Sequence, residues 1–232
     1  MARTQSAIPV IALDGPSGSG KGTVGQIVAH QLGWHYLDSG ALYRAVALAA
    51  QRRGISIDNR MPEIVALAQA LDVQFIPRVD APADVVLDGL AAGDAVRGEE
   101  IGREASRLAV VPELRGALLD KQRALRRPPG LVADGRDMGS TVFPDARLKV
   151  FITASPEVRA QRRYKQLKNK GFDVNLPRLL RDIRERDERD AERSVSPLRP
   201  AEGACIVDTS QLDIQEVVER VLRLFHERRR PD

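Results

Sequence analysis

Residues 9–32 read PVIALDGPSGSGKGTVGQIVAHQL, and no other stretch restricts the fold of this chain as strongly. Pro9–Leu13 is a short apolar run that stops at Asp14, the pattern of a strand buried on both faces of a parallel sheet. Glycines follow, and then Val24, Ile27, Val28 and Leu32 recur at helical spacing. A buried strand that passes through a glycine loop into a helix needs crossover connections to reach its parallel neighbours. An α/β sheet with helices on both faces follows from that requirement.

The rest of the chain keeps the rhythm. WHYLD, GLVAD, LKVFITA and CIVDTS read as strands, SGALYRAVALAAQRR and IQEVVERVLRLFHE as helices. From Pro62 to about Arg97 the rhythm breaks: a helical PEIVALAQAL precedes the short runs VQFI and DVVLDG, separated by Pro77, Asp80 and Pro82. Those two runs leave no room for a crossover, so they are expected to form a small antiparallel insert in a lobe beside the sheet. A chain of 232 residues with 43% hydrophobic content can bury one main core and such a lobe without disulfides. The single cysteine, Cys205, lies in an apolar run and reads as a buried strand thiol. His30 and His35 read as packing or cap residues, His226 as exposed, and the terminal ERRRPD as a frayed end.

Charge narrows the partners. With 36 basic and 32 acidic residues interspersed, the net +4 favours anionic ligands without implying a uniformly positive, nucleic-acid-binding surface. The apolar run Ile8–Leu13 contains Pro9 and is too short for a signal segment or a membrane span. A cytoplasmic monomer without nucleic-acid or membrane partners is the expectation.

Gly15, Gly20 and Lys21 satisfy G-x-x-x-x-G-K between the strand and the helix, the context in which that pattern binds phosphate. Glycines let backbone N–H groups wrap an anion at a helix N-terminus, and the lysine adds a point charge. Gly15, Pro16, Ser17, Gly18, Ser19, Gly20, Lys21, Gly22 and Thr23 are therefore the expected ATP site. Gly22 stands where a hydroxyl residue commonly assists Mg²⁺, and Thr23 follows directly. Mg²⁺ keeps several waters and leans on substrate phosphates, so no dedicated metal ligand is named. The only Asn-Lys pair, Asn169-Lys170, lacks the Asp of a guanine-reading motif.

The form GKGT resembles the nucleoside monophosphate kinases. Four further stretches, LDSGALYR, ASRLAVVPELRGALL, ADGRDMG and RERDERDAERSVSPL, resemble the bacterial cytidylate kinase family, over about Ile8 to Phe225. The resemblance implies transfer of the ATP γ-phosphoryl group to CMP or dCMP, with Mg²⁺. It implies one domain over 1–232 with a P-loop NTPase-type parallel sheet: core about 8–38, 128–155 and 200–228, acceptor lobe with insert about 39–127, helical lid about 156–172, and a charged substrate helix about 176–195. Ser39, Arg44 and Arg136 would hold the acceptor phosphate, and Ser106, Arg115 and Asp137 would read the cytosine. Arg186 and Asp190 would bind the ribose, Arg193 phosphate, and the lid arginines Arg159, Arg162 and Arg163 would close over ATP. Lys21, Arg136, Arg162 and Arg186 are the expected catalytic set, with no general base, because a monophosphate is largely ionised at neutral pH with a second pKa of about 6.

The residues alone also allow plainer readings. Ser39 fits an N-cap, Arg136-Asp137 a surface pair, and most charges of 184–193 a solvated, salt-bridged helix. Another small-molecule kinase, such as a UMP or dTMP kinase, is the runner-up. A nucleotide-switched RNA-binding module is weakened by the missing guanine motif and by 4% aromatic content.

Overall fold

The computed structural model describes residues 8–78, 81–169, 171–192 and 197–228; Arg193, Asp80, Lys170 and the last four residues of the terminal run lie outside them. Five parallel strands form the main sheet in the order β2-β6-β1-β7-β8, with β1 Val10–Asp14, β2 His35–Asp38, β6 Leu131–Gly135, β7 Leu148–Thr153 and β8 Cys205–Asp208. Central β1 is buried at every position, as its unbroken apolar run requires.

Alternation along β1 serves two layers. Ile11 and Leu13 pack with Val24 and Val28 of α1 (Lys21–Leu32) and with Val217, Val218, Val221 and Phe225 of the C-terminal helix α8 (Ile214–Glu227). Val10 and Ala12 face the other way, against Leu37, Met138, Val142 and Phe143. Pairing registers set Asp14 opposite Gly135 and Asp38 opposite Asp134. Three strands therefore end at one level, and the loops after β1, β2 and β6 gather at the carboxyl edge of the sheet, where open α/β folds bind ligands.

The second core belongs to the lobe. Leu42 and Val46 of α2 (Ser39–Arg52), Ile64 and Leu67 of α3 (Met61–Ala70), Ile101 and Leu108 of α4 (Glu99–Leu108), and Leu114 and Leu118 of α5 (Pro112–Ala124) are all buried in it. The antiparallel insert has three strands: β3 (Val73–Ile76), β4 (Asp84–Leu87) and β5 (Leu90–Ala91). The third, two residues long, goes beyond the two expected runs. Asp88 and Gly89 both take positive φ, 48° and 78°, as a tight two-residue hairpin turn demands.

Cys205 departs from its expected burial. It sits on the edge strand β8, only half-buried, with its Sγ 3.4 Å from a guanidinium nitrogen of Arg228. An edge strand has a neighbour on one side only, so an apolar run there does not enclose its side chains. Among the described residues no helix is long and apolar enough to cross a membrane.

Gly15, where β1 turns into the loop, has φ of 149°, and a Cβ built there would sit 2.0 Å from the Ile152 carbonyl oxygen. Gly15→Ala should lower the melting temperature by about 5 °C or more, since a clash and a disfavoured φ together cost a few kcal/mol. Differential scanning calorimetry checks this, and an unchanged melting temperature would count against the close approach of the two backbones.

Candidate active site

The glycine loop bridges β1 and α1. Gly20 takes φ of 93° at the N-cap of α1 and carries no side-chain cap, so the first-turn N–H groups stay directed at the loop's concavity. The loop carbonyls turn the other way. Ser19 Oγ donates to Pro16 O at 3.0 Å and Lys21 Nζ to the same oxygen at 3.2 Å.

The three arginines of α6 (Pro156–Asn169) do not share one task. Arg159 is 3% exposed. Its guanidinium donates to Ala154 O at 2.9 Å, to Ser17 O at 3.3 Å and to both carboxylate oxygens of Asp187. Arg162 donates to Ser19 O at 3.3 Å and Thr209 O at 2.6 Å. Only Arg163 is exposed, with one contact at 2.8 Å to Gln166 of its own helix. In this arrangement Arg159 and Arg162 contact the carbonyls of the phosphate loop and Arg163 is exposed. A guanidinium is buried only where its charge is paired and its N–H groups are satisfied, and Asp187 with the loop carbonyls does both for Arg159.

Beneath the loop lies a cluster of carboxyl groups. Asp134, at the end of β6, accepts from Tyr36 Oη at 3.2 Å and lies 3.9 Å from Lys21 Nζ. Burial raises its pKa to about 7, against the pull of Lys21. A Cβ at position 22 would lie 3.1 Å from Asp134 Oδ2, which explains the glycine where other phosphate loops carry a hydroxyl residue. Asp14 accepts from the backbone N–H groups of Met138 and Gly139, both at 2.8 Å, and so clasps the loop after β6 to the base of the phosphate loop. Burial lifts Asp14 to about 6, partly offset by those two hydrogen bonds.

A second group of residues singled out in the sequence gathers around that clasped loop. Arg136 pairs with Asp190 of α7 (Leu176–Ala191), whose carboxylate is also 3.9 Å from Arg186. Asp190 is 1% exposed, and its charge is offset by Arg136 of the loop after β6 and by Arg186 of its own helix. Ser39 begins α2 but does not cap it; the cap is Asp38, accepting from Ala41 N at 2.8 Å. Ser39 Oγ instead approaches β6 where Gly135 lacks a side chain, beside Arg136. Arg44 is held low in pKa, first by burial and then by Arg163 and Arg97, while Asp38 opposes. Arg97, whose guanidinium donates to Ala83 O, is one that its position in the insert gave no reason to single out.

Arg115 donates to Asp137 at 2.5 Å and to Ala109 O at 3.1 Å. The pair lines a pocket of ≈ 100 Å³ with Tyr43, Leu119, Gln122 and Thr141. Ser106 is exposed on α4 and donates its hydroxyl to Gly102 O at 2.9 Å, so no described contact joins it to that pair. Thr23 is exposed beside the loop. Sequence reasoning also missed Asp14, Tyr36, Asp187 and Thr209. An Asp directly before the glycine loop was the one local signal available.

The Asp14 carboxyl titrates higher in the fold than in the unfolded chain, so its neutral form contributes stability that is full below 3.8 and lost as pH rises through about 6. Asn does not titrate. The melting-temperature advantage of the wild type over Asp14→Asn should therefore shrink as pH is raised from about 4 to about 7. A gap that holds constant or widens would show a carboxylate ionised throughout by its two N–H donors.

A family profile described as Cytidylate kinase matches residues 11–227. A cytidylate kinase of Nitrosococcus oceani is 56% identical over 93% of this chain and 95% of its own length. One of Bordetella pertussis is 57% identical over 93% of this chain and 94% of its own. Among solved structures, a gluconokinase from Sinorhizobium meliloti 1021 superposes at a TM-score of 0.47, with 18% identity, over 94% of this chain and 92% of that one. The chain belongs to the cytidylate kinase family.

Proposed function

We propose that the chain transfers the γ-phosphoryl group of ATP to CMP or dCMP, releasing ADP and CDP or dCDP. The observation that carries this reading is the position of Arg136 and Asp137. Adjacent in sequence, one faces the charged helix α7 and the other the base-sized pocket, while the Asp14 clasp holds both beside the phosphate loop.

Phosphoryl transfer between two polyanions is mainly positioning and charge neutralisation. The loop N–H groups and Lys21 hold the β and γ phosphates of ATP. Arg136, Ser39 and Arg44 hold the acceptor phosphate, whose oxygen attacks in line without a protein base. Arriving phosphate replaces Asp190 on Arg136, and the released carboxylate, with Arg186, takes the ribose hydroxyls. Arg159, Arg162 and Arg163 of α6 bring lid charge to the ATP phosphates, Arg163 from an exposed position and the other two from beside the loop. Arg193 lies outside the described residues, and its phosphate contact stays part of the proposal.

The residues fit Mg²⁺ that keeps its waters. Asp134 Oδ1 is buried and accepts no hydrogen bond, and among the described residues no cluster of three or more His, Cys, Asp or Glu forms a cage. Bound there with ATP, Mg²⁺ would supply neutralising charge to the phosphate oxygens. Asp134 would hold its water shell, with Thr23 at its side.

Cytosine presents an amino donor and an acceptor edge, matching Asp137 and Arg115; uracil reverses the donor. Coupled assays across all monophosphates should show CMP and dCMP as good acceptors and UMP, AMP and GMP as poor ones. Equal use of UMP and CMP at limiting concentration would remove the base assignment. Lys21→Met should cut turnover by at least about a hundredfold, the scale of losing one transition-state charge contact, with melting within about 2 °C of wild type. Near-normal turnover in the folded variant would sink the phosphate-loop reading. Arg136→Ala should raise the KM for CMP about tenfold or more while leaving that for ATP within about twofold, since one charge-assisted contact contributes about 1.5 to 3 kcal/mol.

A further inference from the structure

Two peptides of the phosphate loop precede glycines with positive φ: Ser17–Gly18, with Gly18 at 81°, and Ser19–Gly20, with Gly20 at 93°. In a planar trans peptide the carbonyl and the following N–H point in opposite directions. The direction of the Ser19 carbonyl therefore fixes the direction of the Gly20 N–H. Glycine takes either sign of φ at little cost, so residue type alone does not stop this peptide from turning over. The hydrogen-bond ladder of α1 reaches back to Gly20 O, which accepts from Val24 N at 3.0 Å, one residue short of the Ser19 carbonyl.

The lock on Ser19 O comes from the segment after β8. Thr209 is 2% exposed, and its N–H donates at 2.8 Å to Thr153 O at the end of β7, which ties it to the sheet. Its Oγ1 accepts from Arg162 at 3.0 Å and lies 3.1 Å from both Ser19 O and Thr153 O. A hydroxyl has one proton to give. Thr153 O already receives the Thr209 N–H, whereas the Arg162 contact to Ser19 O is long, at 3.3 Å, and uses the same nitrogen that serves the hydroxyl, so the proton goes to Ser19 O. Arg159 holds Ser17 O in a comparable way, yet its guanidinium also binds Ala154 O and Asp187, so removing it disturbs packing in several places. The Thr209 hydroxyl can be removed alone.

Resting on the proposed ATP reading, we infer that Thr209 is a positioning residue for phosphoryl transfer, whose hydroxyl holds the Ser19–Gly20 peptide with the Gly20 N–H aimed at the donor phosphates. It acts through that backbone N–H and needs no contact with either substrate. A peptide turned over would present the Ser19 carbonyl to the phosphate, an acceptor facing an anion where a donor is required. Loss of this one hydroxyl therefore weakens the hold on ATP and leaves the acceptor side as it is.

The test is Thr209→Val, which keeps the side-chain shape and removes the hydroxyl, beside Thr209→Ser, which restores it. The dissociation constant for ATP, measured by isothermal titration calorimetry without CMP, should rise about fivefold or more in Thr209→Val, the scale of one buried hydrogen bond. The KM for CMP at saturating ATP should stay within about twofold, and Thr209→Ser should bind ATP within about twofold of wild type. Melting without nucleotide should fall by no more than about 4 °C in Thr209→Val, as one such bond in a domain of this size implies. Unchanged ATP affinity in folded Thr209→Val overturns the inference. A parallel loss for ATP and CMP, weak ATP binding by Thr209→Ser, or failure of Thr209→Val to fold overturns it as well, because each makes Thr209 a packing residue. Failure of the wild-type protein to bind ATP overturns the phosphate-loop reading itself, and that result needs neither variant.

Discussion

A loop whose N–H groups point at an anion must turn its carbonyls away from it, and those carbonyls need donors elsewhere. In this chain some donors come from the loop itself and others from elements packed against it. Ser19 and Lys21 serve Pro16, Arg159 serves Ser17, and Arg162 and Thr209 serve Ser19. The donors from outside the loop bring their own elements with them. The buried charge of Arg159 needs Asp187, which brings in α7, and Thr209 brings in the segment after β8. The phosphate loop is thus stiff because several otherwise separate elements converge to satisfy its backbone.

The same helix reaches the acceptor side. Asp187 and Asp190, three apart on α7, face Arg159 behind the phosphate loop and Arg136 in front of it. One rigid element therefore carries both the anchor of the donor loop and a partner of the acceptor arginine. Arg115 with Asp137, and Arg136 with Asp190, hold their cations on internal carboxylates, so the site keeps its shape while its charges stay balanced. On the proposed reading a phosphate would take the place of Asp190 on Arg136 while Asp137 and Arg115 stay to meet the base, so little would have to reorganise for electrostatic catalysis.

Much of what is local was legible in the sequence alone. A buried apolar run, a glycine loop and a helical repeat specify strand, turn and helix because each depends on residues within a few positions of one another, and Gly15 and Gly20 take the positive φ that their residue type permits. The antiparallel insert was legible for the same reason, since two short runs cannot cross over, although a third strand of two residues lay below what periodicity can report.

Partner choice was decided by the tertiary structure. Arg159, Arg162 and Arg163 look alike on a basic helix, yet the fold buries the first against Asp187, 28 positions away, and leaves the third exposed. Asp14 became a clasp only because β6 lies next to β1 in the sheet and delivers two N–H groups 124 and 125 residues distant. Cys205 is half-buried because β8 ended at the edge of the sheet, and nothing in CIVDTS says which strand is outermost. Hydrophobic period and glycine placement report how a segment folds on itself; which charges and carbonyls then meet depends on how distant segments pack, and that is set by the sheet order and by the free-energy cost of leaving any buried polar group unmatched.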